Sequence, residues 1–421
     1  MRSEQIILGA GCTYSTDCTE TQLNNNVIVV GGSGSGKTMS IIEPRLLETV
    51  HSSLIVTVSK RYLVKKYMSL FRKRGYKVWD LNLSFPEQSN VSYDPLQYIK
   101  SYADISFLAA GIVNAEPKKQ KNVTADPYWD QGAQSLLAAE IAYTLMTEDN
   151  PSFLDVLTLH ERLEIAENGG RIQTSLDSKF EFIERKSPNS FAVRCWKSFH
   201  QLPLKTALCI FSSLNVSIDT LFTPELKACM GKRRRINFAQ LATERTALFI
   251  STSAVNPTLH SFANLLYSQS IKELFEFAES RTDGHLPIPV QLLCDDFACG
   301  STILNFPEYI SIFREKQMSA IILLQSESQL ERMYTYEDAT TIINNCDTYV
   351  YMGGMDLQTS KNVSNRLNCP LEDVLYMPIG TVAVFRRGQK PIVTKRYPVQ
   401  EHPLYQQVSE SDIKKTQLFT R

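Results

Sequence analysis

The chain has 421 residues, enough for two or three domain-sized units around a large buried core. Its hydrophobic residues (43%) and charged residues (21%) are in ordinary proportion for a globular protein, which excludes wholesale disorder. Lysine plus arginine and aspartate plus glutamate both number 44, so a uniformly basic nucleic-acid coat is excluded and any DNA contact must come from local patches or an assembled ring.

The first hundred residues alternate short β-branched runs with helical patterns. Residues 26–31, 53–58 and 76–81 predict buried strands, and residues 37–49 and 60–73 between them predict helices. Strands that alternate with helices of about 10 to 15 residues indicate βαβ units and a parallel sheet.

Helical periodicity replaces this alternation from about residue 104 to residue 221. No convincing strand pattern interrupts it, so we predict an all-helical insertion at 104–222. The five amphipathic stretches that define it cover residues 128–147, 152–167, 173–186, 190–201 and 205–221.

The alternation of strands and helices resumes after the insertion. Two closing runs, 381–385 and 391–395, predict an edge hairpin. The polar tail after His402 is expected to be mobile. The four other predicted strands cover residues 247–251, 290–294, 320–324 and 348–352. The predicted domains are the two parts of an α/β nucleotide-binding domain at 1–103 and 223–400, the insertion at 104–222, and a polar tail at 401–421.

The strongest motif is a glycine-rich loop between the first predicted strand and the first predicted helix. Gly31-Gly-Ser-Gly-Ser-Gly-Lys37-Thr38 fits GxxxxGK[ST]. In such a loop the backbone N–H groups turn inward onto phosphates and the following helix adds the positive end of its dipole. Lys37 is expected to reach the β- and γ-phosphates and Thr38 to ligate Mg²⁺. The sequence therefore predicts nucleoside triphosphate binding with Mg²⁺, and the expected phosphate-binding residues are Gly31, Gly34, Ser35, Gly36, Lys37 and Thr38.

Two acids follow the predicted strand at 290–294. A P-loop hydrolase needs a carboxylate at the end of a neighbouring strand to hold Mg²⁺ and a base to orient the attacking water. Asp295 is the expected metal-side acid and Asp296 the expected catalytic one. The alternative is a strand end capped by two solvated acids.

Two further candidates flank the predicted strand at 320–324. Gln325 follows the strand, where its side chain could face the γ-phosphate, although polar residues at strand ends are common. Arg314 lies in the preceding helix and is either an ordinary surface charge or a finger that reaches the nucleotide of a neighbouring subunit.

Short basic runs could track a phosphate backbone if several of them share one surface of a ring. For each run taken singly, a solvated face is the alternative. The runs lie at residues 118–121, 232–235, 386–387 and 395–396.

Nine cysteines are present without a CxxC pair or a Cys/His run at zinc-ligand spacing, which predicts free thiols in a reducing cytosol. Residues 1–10 lack the pattern of a secretory signal. The best candidate for a membrane span, 136–145, is short and contains Glu140, so no span is predicted.

Several segments match the motif pattern of one protein family in combination. They include Asp126-Pro-Tyr-Trp129 with Leu136-Leu137, the segment from Lys205 to Leu214, Asp295-Asp-Phe-Ala298, Leu323-Leu-Gln325-Ser, Asn345-Cys-Asp347-Thr with Gly353-Gly354, Phe385 to Pro391, and Tyr397-Pro with His402-Pro403. Together they resemble the TraG/TraD-type coupling proteins of type IV secretion, the hexameric ATPases that feed DNA into conjugation channels.

The resemblance implies a RecA-like P-loop fold with an inserted helical domain, and ATP and Mg²⁺ as cofactors. It also implies a DNA-stimulated ATPase that forms a homohexamer, translocates single- or double-stranded DNA through its pore, and delivers a relaxase–DNA complex to the secretion channel. In this scheme Asp296 activates water and Gln325 senses the γ-phosphate. The expected location is the cytoplasm, at the inner face of the cell membrane.

The sequence departs from the family pattern at three places. It begins directly before the first nucleotide-domain strand, where family members usually have two membrane helices. Asp296 replaces a glutamate, and Thr57-Val-Ser-Lys-Arg-Tyr62 replaces the motif TDPKGE.

Two alternative functions stay open. A nucleotide-binding adaptor for secretion substrates, without productive hydrolysis, is supported by Asp296. A small-molecule kinase would use the same P-loop, but the long insertion, the position of Gln325 and the C-terminal motifs favour the coupling ATPase.

Overall fold

The structure, a computed structural model, describes residues 4–115, 127–169, 171–231, 234–253 and 255–408. The basic run at 118–121, Asp126, Lys232, Arg233 and the chain from 409 onward lie outside the described residues. The strands are β1 (Gln5–Gly9), β2 (Cys12–Ser15), β3 (Val27–Val30), β4 (Ser53–Val58), β5 (Lys77–Asn82), β6 (Ile165–Asn168), β7 (Arg171–Thr174), β8 (Thr246–Ser251), β9 (Val290–Cys294), β10 (Met318–Leu324), β11 (Thr348–Tyr351), β12 (Thr381–Arg386) and β13 (Ile392–Lys395).

Nine of these strands form one sheet in the order β13-β12-β11-β3-β10-β9-β4-β8-β5. The seven strands from β11 to β5 run parallel, and β12 and β13 add an antiparallel edge hairpin. All the predicted sheet strands and the predicted edge hairpin are therefore confirmed. The four central strands β3, β10, β9 and β4 are buried along their whole length, as expected for a parallel sheet covered on both faces.

Helices cover both faces of this sheet. They are α1 (Cys18–Thr21), α2 (Glu43–Glu48), α3 (Arg61–Lys73), α4 (Tyr102–Val113), α5 (Pro127–Thr147), α6 (Phe153–Glu161), α7 (Asp177–Lys186), α8 (Phe191–His200), α9 (Leu204–Leu221), α10 (Pro224–Cys229), α11 (Ala239–Thr243), α12 (Pro257–Glu279), α13 (Phe306–Ile312), α14 (Glu327–Met333), α15 (Tyr336–Asn344), α16 (Leu357–Leu367) and α17 (Leu371–Leu375). A π-helical turn, Thr38–Ile42, leads into α2, and short 3₁₀ turns lie at Pro86–Gln88, Pro95–Tyr98, Val399–Glu401 and Tyr405–Val408.

The two faces of the sheet belong to two separate apolar layers. Along β3, Ile28 and Val30 enter the layer that includes the helical insertion and α12, whereas Val27 and Val29 enter the layer that includes β1, α2 and α3. This alternation follows from the two-residue side-chain period of a strand. The insertion therefore packs on one face of the sheet, and the N-terminal hairpin and α3 pack on the other.

The prediction of an all-helical insertion is wrong at residues 165–174. The predicted helices there are shorter, because α6 ends at Glu161 and α7 begins at Asp177, and β6 and β7 form an antiparallel hairpin between them. The two strands end at the pair Asn168–Arg171, and Gly169, with φ 60°, begins the turn between them. The sequence has Gly-Gly at 169–170, and such a pair between two strand-like runs is a hairpin signal that was not used. The domain bounds themselves stay a prediction.

The predicted polar tail from residue 401 is wrong for residues 402–408. His402 is buried, with its Nε2 3.0 Å from Oε1 of Glu48. The ammonium of Lys66 donates to the Tyr405 hydroxyl at 3.2 Å, and Val408 is buried in the layer that contains β1 and α3. This segment therefore packs on the face of the sheet that α2 and α3 cover.

Two other expectations concern the chain as a whole. Within the described ranges, no helix is long and apolar enough to cross a membrane. All nine cysteines are free thiols, and the described residues contain no cluster of three or more His, Cys, Asp or Glu that could hold a metal.

A buried ion pair that the sequence analysis missed attaches the N-terminal hairpin to the sheet. Arg45 on α2 is 1% exposed, and its guanidinium donates to Glu4 Oε2 and to Gln291 Oε1, each at 2.5 Å. The other oxygen of Glu4 accepts backbone N–H groups from the loop before β4, including that of Ser52 at 2.9 Å. Burial alone would raise the pKa of Glu4, but Arg45 and these N–H groups outweigh it and lower the pKa to about 2.

We predict that Glu4→Gln lowers the free energy of unfolding by about 3 kcal/mol at pH 7, because it leaves Arg45 buried without its counter-charge. A carboxylate whose pKa is lowered by folding stabilises the protein above its unfolded pKa, near 4.5, and this contribution is lost as pH falls towards 2. Urea denaturation should therefore show the difference between wild type and variant shrinking below pH 4.5.

Glu20→Gln, on the exposed helix α1, makes the same chemical change and serves as the control. An equal loss of stability in both variants, or a difference that does not depend on pH, would contradict the assignment to the Glu4–Arg45 pair.

Candidate nucleotide-binding site

The glycine-rich loop lies at the carboxyl edge of the sheet, between the ends of β10 and β11. The Gly31 N–H donates to the carbonyl of Leu324 at 3.1 Å, and the Gly32 N–H donates to the carbonyl of Gly353 at 2.8 Å. Gly34 and Gly36 have φ values of +76° and +89°, a backbone region that glycine adopts without strain. The loop thus occupies the edge of a parallel sheet at which ligands bind.

Lys37 folds back over this loop. Its ammonium donates to the carbonyls of Gly31 at 2.5 Å and Gly32 at 3.1 Å, and the residue is only 9% exposed. Burial lowers the pKa of Lys37, and the carboxylates of Asp295 and Asp296 oppose that effect. Lysine has three N–H donors on a flexible stem, so it can exchange these carbonyls for phosphate oxygens by rotation alone.

Thr38 and Asp295 meet across the site. The Thr38 hydroxyl donates to Asp295 Oδ2 at 3.1 Å and lies 3.3 Å from Oδ1. Burial and the neighbouring Asp296 carboxylate raise the pKa of Asp295 to about 6, although Thr38, Lys37 and Lys60 partly lower it. The buried carboxylate of Asp295 and the hydroxyl of Thr38 together are oxygen donors of the kind that suits Mg²⁺.

Asp296 is the second residue of the turn that follows β9. It has φ 56°, a left-handed conformation that aspartate tolerates better than most residues, and it is half-buried. The same turn packs against the start of α12: Asn264 donates to the carbonyls of Cys299 at 2.9 Å and Ser301 at 2.7 Å. The turn that carries both acids is thus held by side-chain contacts from a neighbouring helix.

Gln325 follows β10, between the strand that leads into the P-loop and the strand that leads to Asp295. Its backbone N–H donates to Gln329 Oε1 at 3.1 Å, and its side chain is exposed at the carboxyl edge. Gln329 also donates to the carbonyl of Ala298 at 3.0 Å, so it joins the end of β10 to the turn after Asp295. Gln329 was not among the predicted site residues, and only its four-residue spacing from Gln325 could have indicated it.

Arg314 is far from the P-loop of its own chain. It precedes β10 at the amino edge of the sheet, and seven residues of strand, about 20 Å, separate the two edges. Its guanidinium donates to the carbonyl of Gln22 at 3.1 Å, near α1. It also lines a cavity of about 520 Å³ with Gln317 and Met318 at that edge. The structure therefore does not bring Arg314 together with Lys37, Asp295, Asp296 or Gln325, and its role as a finger stays a prediction.

Most of the described arginines of the basic runs have partners inside the molecule. Arg386 lies over the Tyr14 ring with its guanidinium carbon 3.8 Å from the centroid, and Arg387 pairs with Asp347 at 3.1 Å. Arg235 lies 3.5 Å from the fully buried carboxylate of Asp94. The solvated-face alternative is thus wrong for Arg235 and Arg386, whereas Arg387 is 61% exposed and remains compatible with it. Arg396 contacts the P-loop.

Comparison with known proteins shows the family of this chain. The chain matches the family described as type IV secretory system conjugative DNA transfer over residues 5–368. The protein belongs to this family. No curated protein matches the sequence significantly.

Solved structures confirm the predicted fold class. The plasmid coupling protein TrwB in complex with ADP and Mg²⁺ has 15% identity and a TM-score of 0.69, with 94% of this chain and 90% of that chain covered. TrwB with the non-hydrolysable ATP analogue ADPNP has 15% identity and a TM-score of 0.68, with 94% of each chain covered. VirB4 of Thermoanaerobacter pseudethanolicus has 11% identity and a TM-score of 0.55, with 94% of this chain and 97% of that chain covered.

The two adjacent arginines at 234 and 235 are predicted to differ in their effect on stability. Arg235→Gln should lower the free energy of unfolding by about 2 kcal/mol, because Asp94 is buried and its Oδ2 has no hydrogen bond that replaces the ion pair. Arg234→Gln is the matched control, since Arg234 is exposed and should change stability by less than about 0.5 kcal/mol. Equal denaturation midpoints for the two variants would contradict the structural role of Arg235.

Proposed function

We propose that the protein is the coupling ATPase of a conjugative type IV secretion system. In this role it binds ATP with Mg²⁺ and DNA, hydrolyses the nucleotide, and delivers a relaxase–DNA substrate to the secretion channel. The carrying observation is the contact of Thr38 with Asp295 at 3.1 Å beside the folded-back Lys37, within a chain that belongs to a DNA-transfer family. The bound ADP, Mg²⁺ and ATP analogue in the TrwB structures support the same ligands here.

Each residue at the carboxyl edge has a distinct role in this proposal. The P-loop N–H groups and Lys37 hold the phosphates, and Thr38 and Asp295 hold Mg²⁺, directly and through its water shell. The ion supplies charge neutralisation for the phosphates. Asp296 would accept a proton from the attacking water, and Gln325 would sense the γ-phosphate.

The assembly in the proposal follows the family resemblance. A homohexameric ring would place single- or double-stranded DNA in its pore, with relaxosome proteins and channel components as partners. The expected location is the cytoplasmic face of the membrane. In such a ring Arg314 would have to reach the nucleotide of a neighbouring subunit.

The second candidate function is a nucleotide-binding adaptor without productive hydrolysis. The observation that favours it is Asp296, because the aspartate side chain is one methylene shorter than that of the glutamate in the family motif. Family membership does not favour the small-molecule kinase.

We expect Lys37→Ala to leave the fold intact and to lower ATP turnover by at least about 10²-fold, because one charged donor to the transferred phosphoryl group is lost. Turnover should be measured with and without DNA, alongside the thermal midpoint. Lys65→Ala, on the exposed face of α3, is the control and should keep full turnover. A folded Lys37→Ala variant with normal turnover would refute the P-loop assignment, and a wild type that binds ATP but never turns it over would favour the adaptor.

Asp296→Asn should lower turnover on the order of 10²-fold, while nucleotide binding changes little. Asparagine tolerates the left-handed backbone at this position as well as aspartate does. The variant therefore removes the carboxylate base and keeps the conformation of the turn. Asp149→Asn, on an exposed loop, controls for the change in charge. If Asp296→Asn keeps wild-type turnover, Asp296 is not the base.

A further inference from the structure

Arg396 lies directly outside the P-loop of its own chain. It follows β13, and its Nη1 donates to the carbonyl of Ser35 at 3.2 Å. A Cβ atom placed on Gly36 would lie 2.7 Å from the same Nη1, so the guanidinium would have to move if any other residue stood at position 36. The basic run at 395–396 was predicted as a solvated face or a DNA contact, and its second residue instead contacts the phosphate-binding loop.

The backbone of Arg396 is anchored on two sides. Its N–H donates to the carbonyl of Gly380 at 2.7 Å, beside the pairing of Thr381 with Lys395 in the edge hairpin. The carbonyl of Lys395 accepts the N–H of Ala10 at 2.8 Å from the N-terminal hairpin. The edge of the sheet therefore fixes where the arginine side chain begins, which lowers the entropy cost of holding its contact with Ser35.

The contact with Ser35 constrains the next peptide group. The described peptide bonds include no cis bond, so the peptide between Ser35 and Gly36 is trans. In a trans peptide the C=O and N–H groups point in opposite directions. A guanidinium that holds the Ser35 carbonyl on the outer side of the loop therefore turns the Gly36 N–H towards the inner side, where Lys37 lies.

We propose that Arg396 is a positioning residue that sets the orientation of the Gly36 N–H for nucleotide phosphate. This inference rests on the proposed function, since it needs the loop to bind a nucleotide. Arg396 acts through Ser35 and does not touch the γ-phosphate. The contribution is therefore the same for a diphosphate and for a triphosphate, because the P-loop N–H groups cradle the phosphates that the two ligands share.

The test is titration of the full chain with Mg²⁺–ADP and with Mg²⁺ plus a non-hydrolysable ATP analogue, in the absence of DNA. Arg396→Met is expected to weaken both nucleotides about tenfold, which corresponds to about 1.4 kcal/mol. Arg396→Lys should recover part of this loss, because lysine can also donate to the Ser35 carbonyl. Lys395→Met removes the same charge one residue away, from an exposed side chain, and should leave both affinities unchanged. Arg396 is exposed, and thermal midpoints should confirm that all variants remain folded.

Three results would overturn the inference: unchanged affinities in Arg396→Met, a loss confined to the triphosphate, or an equal loss in Lys395→Met. A loss confined to the triphosphate would indicate that the guanidinium contacts the γ-phosphate. An equal loss in Lys395→Met would indicate that the effect of Arg396 on affinity is a general effect of positive charge. A wild type that binds neither nucleotide would refute the proposed function itself, which is a different outcome from any of these three.

Discussion

Two backbone hydrogen bonds determine the position of the site. Gly31 and Gly32 donate to carbonyls at the ends of β10 and β11, so the P-loop begins in the gap between two neighbouring strands. Because all these strands are parallel, that gap is at the same edge of the sheet as Asp295 and Gln325. Thr38 and Asp295 are 257 positions apart in the sequence, and they are in contact because their strands end at this common edge. Without it, the motif residues would be correct in type but separated in space.

Local patterns in the sequence were sufficient for the strands, the P-loop and the two acids. Buried parallel strands are continuous apolar runs, and a P-loop must lie between a strand and a helix, so each can be found without knowledge of the rest of the chain. The signal for the β6–β7 hairpin was also local, because Gly-Gly at 169–170 lies between the two strands, but it was not used. Each of these features can be recognised from about ten consecutive residues of the sequence.

The contacts that were missed join distant segments through single side chains. Arg45 donates to Glu4, which is 41 positions away in the sequence, and Arg396 donates to Ser35, which is 361 positions away. An arginine in a basic run has the same local pattern whether it faces solvent, pairs with a buried acid as Arg235 does, or contacts a backbone carbonyl as Arg396 does. Only the fold distinguishes these cases, because burial and partner geometry are not properties of the run itself.

The place of β3 in the sheet has a consequence for synthesis of the protein. Both of its neighbours, β10 and β11, come about three hundred positions later in the chain. When β3 and the P-loop have left the ribosome, β3 therefore has no partner strand yet, and loop closure over such a distance is slow. Until β11 leaves the ribosome, the apolar strand Val27–Val30 has unpaired edges that can associate with other chains. Formation of the nucleotide pocket is thus a late event in biogenesis, and truncated or stalled products should be prone to aggregation and unable to bind nucleotide.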